Sequence, residues 1–234
     1  MSFFFYWYNA NMYNSLEFNS GRNALAYMVK KLGIEEIHIP YYLCDVIRHM
    51  LVKENCKPIF YHIDDNFYPM KDFSPEDYIL YPNYFGICSK NIKQLLVKYP
   101  KLIIDNAHSY YDSPRGCICF NAGHKFGFEK SILWFKDEAC ENFILPKKEN
   151  YQKYSDGFRK LHEKYKKENL IKIENVNNVC SFVYPLLTKT VQEADSMVKQ
   201  LEKEGKTIYR FWNSLPESFN EYKFYSRLIP IPVL

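Results

Sequence analysis

Between residues 22 and 135 the chain alternates helical and strand periodicities one element at a time, which restricts the possible folds more than any other feature of the sequence. Apolar residues recur at helical spacing over 22–32, 44–54 and 90–99, and short apolar runs of strand character occupy 37–39, 58–62, 78–81, 102–104, 117–120 and 132–135. Strands joined through single helices pair in parallel by crossover connections, with helices on both faces of the sheet. An α/β fold with a mostly parallel sheet is therefore predicted. The composition excludes a disordered chain: 47% of the residues are hydrophobic and 18% aromatic.

After residue 135 the pattern changes. Residues 141–178 are polar and rich in Lys, Glu and Asn, and read as a loop followed by an exposed helix, with Lys160 to Lys167 as its wet face. A smaller α/β unit follows: an apolar run at 182–187, a helix over 191–204 stopped by Gly205, a strand at 207–211, and a final run at 228–233 broken by Pro230 and Pro232. The expected organisation is a large α/β domain (1–140), a connecting loop and helix (141–178) and a small C-terminal domain (179–234).

Other function classes find little support. The net charge of +4 is spread among mixed lysines and acids, so no basic face for nucleic acid is expected. The 6 histidines and 7 cysteines lack tight metal-ligand spacing, and no CxxC pair, GxSxG elbow or Walker loop is present. Cys117-Ile118-Cys119 alternates as a strand does, which puts both thiols on one face as buried, reduced side chains. His62-x-Asp64-Asp65 follows a strand and reads as a turn rather than a metal site. The N-terminus, MSFFFYWYNAN, has no basic flank or cleavage site, and no run approaches the roughly 20 apolar residues of a membrane helix; a soluble, cytoplasmic protein is expected.

Open α/β sheets bind ligands beyond the carboxyl ends of their strands, so the residues there carry the functional signal. They are Ser20-Gly21-Arg22-Asn23 at a helix start, Tyr41-Tyr42 after Ile39-Pro40, Asn83-Tyr84-Phe85-Gly86, Asp105-Asn106-Ala107-His108 and Asn121-Ala122-Gly123-His124-Lys125. Taken singly, Ser20 is a helix cap, Asp105 a turn residue and Lys125 a surface lysine. Together they offer amides and a helix N-terminus for a phosphate, one carboxylate, a histidine, a lysine and aromatic rings. These are the parts of a site for an anionic, aromatic cofactor. Only 8 of 234 residues are glycine, against a usual share of about 7%, so such a site must use very little glycine.

In this order the segments resemble the DegT/DnrJ family of pyridoxal-phosphate (PLP) sugar aminotransferases, over roughly residues 16–135 and more faintly at Tyr184-Pro185-Leu186-Leu187 and from Trp212 to Ile231. The resemblance implies the fold type I (aspartate aminotransferase-like) architecture and PLP as cofactor. It implies that Lys125 carries PLP as a Schiff base and shuttles a proton, that Asp105 pairs with the ring nitrogen, and that His108 lies near the ring hydroxyl. Tyr42, or else Tyr41, is the candidate for stacking on the ring. Ser20, Gly21 and Arg22 would hold the phosphate with Asn121 as a further donor, and Arg22 has the alternative of meeting an acidic group of the substrate. The implied reaction moves an amino group from an amino acid, glutamate, to a nucleotide-linked keto sugar in surface-polysaccharide or related sugar biosynthesis. A homodimer is implied as well, with Phe3, Phe4, Phe5, Tyr6 and Trp7 as interface or core material.

The chain departs from that pattern in three places. Aligning on Phe120 and Gly123 would put His124 at the catalytic position, as in PLP-dependent sugar dehydratases that use histidine as the base. The Asp-Gly-Gly usual after the lysine is replaced by Phe126-Gly127-Phe128-Glu129-Lys130, and the chain is shorter than most of the family. A PLP-fold binding subunit without catalysis is the remaining alternative.

Overall fold

A computed structural model describes residues 13–112, 117–136 and 144–234. The aromatic run at residues 3–7 and Cys140 lie outside the described residues. Strands β1 (Tyr13–Phe18), β2 (Glu36–Pro40), β3 (Lys57–Tyr61), β4 (Ile79–Pro82), β5 (Leu102–Asn106), β6 (Ile118–Asn121) and β7 (Ser131–Lys136) form one sheet in the order β1-β7-β6-β5-β4-β2-β3. β7 runs antiparallel to both its neighbours, and every other pairing is parallel. The predicted mostly parallel α/β sheet is present.

The alternation of side chains through this sheet builds two cores. Ile79, Tyr81, Leu102, Ile104, Cys117 and Cys119 point to one face, while Leu80, Ile103 and Phe120 point to the other. Helices α1 (Gly21–Lys31) and α2 (Asp45–Lys53) cover the second face, and α3 (Ser89–Lys98) packs Ile92 and Leu95 on the first. The aromatic load of the sequence sits mainly on the α3 face. Three of its buried tyrosines satisfy their hydroxyls internally: Tyr61 donates to Leu80 O at 2.9 Å, Tyr81 to Phe67 O at 2.8 Å and Tyr84 to Tyr42 O at 2.8 Å. The described cysteines form no disulfide.

The rest of the chain builds helix α4 (Tyr151–Tyr165), a two-stranded antiparallel sheet of β8 (Val183–Leu187) and β9 (Leu228–Pro232), and helices α5 (Val191–Lys203) and α6 (Tyr222–Ser226). α5 begins with a capping box in which Thr190 and Glu193 each satisfy the other's backbone N–H. α4 buries Phe158 and Tyr165 against this sheet, and its lysines face water as predicted.

Two strand assignments change. β1 was not expected, because Asn14, Ser15 and Glu17 dilute its apolar pattern; it pairs along β7 with Ser15 facing inward to accept from Ile144 N at 2.6 Å. The strand predicted at 207–211 is absent. The segment alternates in burial as a strand would, but it has no ladder partner, since β8 and β9 pair only with each other.

Candidate active site

The carboxyl ends of β2, β4, β5 and β6 and the start of α1 surround a cavity of about 320 Å³. It opens where the strand order reverses between β2 and β4, the position at which open α/β sheets take ligands.

A helix start forms part of the cavity wall. Ser20 is extended and caps α1, its Oγ accepting from Asn23 N at 3.2 Å. A Cβ on Gly21 would lie 2.7 Å from the backbone oxygen of Asn121 and 3.0 Å from the Phe120 ring, so only glycine lets the helix start this close to the end of β6. Ser20, Gly21 and Arg22 all border the cavity, with Arg22 exposed at its rim. The start of α2 meets the same space through Cys44, Val46 and Ile47. Two helix N-termini and Arg22 make the cavity a place for an anion.

The cavity wall also carries Asp105, His108 and Lys125. Asp105 closes β5, and its Oδ1 accepts from Ala107 N at 2.7 Å. Burial raises its pKa, opposed by the charge of Lys125 and the Ala107 N–H. Among the described residues lining the cavity it is the one acid. Lys125 stands on a single 3-10 turn (Gly123–Phe126) directly after β6. That turn is packed so closely that a Cβ on Gly123 would fall 1.9 Å from Lys130 O. Lys125 is half-buried, with Nζ 5.2 Å from the centre of the Phe182 ring. Burial lowers the lysine's pKa, while the charge of Asp105, and then Cys44, pulls it back up.

His108 is buried, and its tautomer follows from its partners. Nδ1 accepts the N–H of Phe85 at 3.2 Å, so in the neutral ring the proton is on Nε2. Burial, and then the charge of Lys125, holds its pKa well below 6.5. His124 also borders the cavity but is exposed.

Thus Ser20, Gly21, Arg22, Asp105, His108, Lys125 and His124 all line one cavity, and two predicted residues do not. Tyr42 is fully buried beneath it; its hydroxyl donates to Phe224 O at 3.3 Å and its ring packs against Trp212 and Tyr84. The chain reverses after β2, which turns Tyr42 into the core and leaves Leu43 and Cys44 toward the cavity. Tyr41 stacks on Phe60 with centroids 5.0 Å apart, also away from the cavity. Asn121 is fully buried with both ends of its amide engaged, donating to Tyr110 O at 2.9 Å and accepting from Ile132 N at 2.7 Å. It ties β6 to β7 and does not reach the cavity. His62-x-Asp64-Asp65 is a turn, in which Asp64 Oδ1 accepts from Asn66 N and Tyr68 N, both at 2.8 Å.

Trp212, with Phe120, does line the cavity, and it is not among the site residues expected from the sequence. Its sequence signal is its place at the start of the faintly similar segment Trp212 to Ile231, directly after the stretch read as a strand.

No family model matches the sequence, and no curated protein matches it. Solved structures do. The chain is similar to the aminotransferase PseC of Helicobacter pylori, involved in pseudoaminic acid biosynthesis, at 14% identity and a TM-score of 0.66 over 93% of this chain and 81% of that one. It is similar to the sugar aminotransferase CalS13 of Micromonospora echinospora at 11% identity and a TM-score of 0.67, covering 94% and 82%. A DegT DnrJ EryC1 StrS aminotransferase from Brucella abortus gives 12% identity and a TM-score of 0.67, covering 93% and 80%. The chain therefore has the fold type I architecture of PLP-dependent aminotransferases, a mostly parallel sheet with its cavity at the carboxyl edge.

Proposed function

We propose that this protein is a PLP-dependent aminotransferase that transfers an amino group from an amino acid, glutamate, to a nucleotide-linked keto sugar. The observation that carries this reading is the convergence of Lys125, Asp105 and His108 on one cavity that the capped start of α1 also lines. The sugar substrate rests on the sugar aminotransferases of similar fold and on the family resemblance; glutamate and the nucleotide rest on the resemblance alone.

The residues present fit the cofactor. The cavity is within the range of about 300–1,000 Å³ usual for small-molecule sites. The amides of Gly21 and Arg22 and the Ser20 hydroxyl suit a phosphate, which also gains from the positive end of α1. Asp105 is held close to a cation and an N–H, so its carboxylate can keep a ring nitrogen protonated. The Nε2–H of His108 is a fixed donor for a ring hydroxyl. When bound, PLP supplies an electron-accepting ring and a carbonyl carbon. Lys125 would attach it, and its amine, eased toward the neutral form by burial, would move a proton between the substrate carbon and the cofactor carbon. A homodimer belongs to the same reading and is measured by light scattering of the eluting protein.

The deciding experiment adds PLP to purified protein, reduces with borohydride and maps the phosphopyridoxyl label. Label on Lys125, lost in Lys125→Ala, is the expected result. PLP bound without a covalent adduct, with activity lost in His124→Ala, would instead identify a dehydratase. Absence of binding at high PLP concentration would leave a binding subunit.

A further inference from the structure

His108 is oriented from two directions. From the large sheet it receives one hydrogen bond, the N–H of Phe85, presented by a residue in the left-handed region (φ +53°). From the C-terminal part of the chain it receives rings. Trp212 lies parallel to the imidazole, 5.7 Å between centroids and 14° between planes. Phe211 and Phe182 close on it at 5.3 Å each. Trp212 is held in turn: its indole stands edge-on against the buried Tyr42 at 4.4 Å, and its own backbone takes φ +56°, a value that bulky residues rarely adopt. A coil segment with no ladder partner thus departs from ordinary geometry to set one indole at the cavity wall, flat against the histidine.

We propose that Trp212 is a positioning residue: its indole, carried by the C-terminal part of the chain, fixes the plane of His108 so that the Nε2–H of that ring donates into the cavity. A single hydrogen bond to Nδ1 sets the tautomer but leaves the ring able to swing about that bond; a parallel aromatic face removes the swing. The charged group that faces His108 is Lys125, and the remaining walls are Phe85, Phe182, Phe211 and Trp212. Docking of the C-terminal part and alignment of a donor in the cavity are then one event. The proposal rests on the assigned role of His108, but its test does not.

The test uses the full chain without cofactor, labelled with 15N at histidine. In the unmodified protein, long-range 1H–15N correlations show His108 as one neutral Nε2–H tautomer that stays neutral at pH 6.5. Trp212→Leu keeps an apolar side chain but removes the flat face, and Trp212→Phe keeps a flat face. The expected result is that Trp212→Leu keeps the Nε2–H tautomer, loses the nuclear Overhauser contacts that mark one orientation of the His108 ring against Phe182 and Phe211, and raises the His108 titration midpoint by about one unit or more as the ring gains access to water, whereas Trp212→Phe follows the parent. His108 signals in Trp212→Leu that match the parent in ring contacts and titration would overturn the proposal. Equal disturbance in both variants would overturn it too, since the effect would then be a loss of packing rather than of stacking. If the parent binds no PLP, the functional reading fails while these spectra still decide the role of Trp212.

Discussion

Asp105 and Lys125 influence each other through the cavity, and the sign of that influence can be measured. Burial disfavours the ammonium of Lys125, and the negative charge of Asp105 favours it. Asp105→Asn leaves the burial and deletes the favourable charge, so the lysine must lose its proton at a lower pH than in the parent. We expect the pH midpoint for acylation of Lys125 in cofactor-free protein to fall in Asp105→Asn; an unmoved midpoint would mean that the two groups do not interact. Arg22 offers a second test, because its exposed guanidinium suits either a cofactor phosphate or an acidic group of a substrate. Arg22→Ala weakens PLP binding in the first case and raises the KM of one substrate alone in the second, and titration of PLP beside steady-state kinetics separates them. That Asp105, His108 and Lys125 border a cavity was legible in the sequence because they stand at or just beyond the ends of apolar strands, where the fold class puts its ligands. That Tyr42 does not border it was not legible, because one step along a reversing chain exchanges core for cavity.

Helix α1 shows how an element is set by its ends. Ser20 supplies the cap, and Ser20→Ala is expected to lower stability by about 1 kcal/mol, measured by denaturant unfolding. Gly21 permits the close approach to β6, and Gly21→Ala forces a Cβ against Asn121 O; a loss of about 1–3 kcal/mol is expected, with weaker phosphate binding as the helix start shifts. Both values come from the same unfolding curves, and a Gly21→Ala protein as stable as the parent would show that this contact relaxes freely. Signals of this local kind were readable: each predicted helix matches its observed span to within a residue or two, because caps and apolar spacing lie within the segment itself. β1 was not readable, since its strand character comes from β7, more than a hundred residues away.

Across the whole molecule, a buried carboxylate holds the C-terminal part in place. Glu221, just before α6, is fully buried; it accepts the N–H of Ile63 at 2.7 Å and lies 3.1 Å from His62 Nδ1, at the end of β3. Asn220 Nδ2 adds a bond to Ile63 O at 3.2 Å. Glu221→Ala strands the Ile63 N–H and should cost about 1–3 kcal/mol, while Glu221→Gln keeps an acceptor there and should cost less. Because the segment so anchored also carries Trp212, the Ala variant should show a red-shifted tryptophan emission before the sheet unfolds. A single coincident transition by fluorescence and circular dichroism would show instead that the anchor and the sheet are lost together.

The α/β class, the strand ends that border the cavity, and the helices α1 to α5 with the Ser20 cap were legible in the sequence. These depend on periodicity and on neighbours within a turn or two. The tertiary structure alone decided which strand edges pair, that Tyr42 and Asn121 are spent inside the fold, and that Trp212 from the far end of the chain forms a wall of the cavity. Those outcomes depend on contacts between segments remote in sequence, where no local pattern records which side chain will meet which.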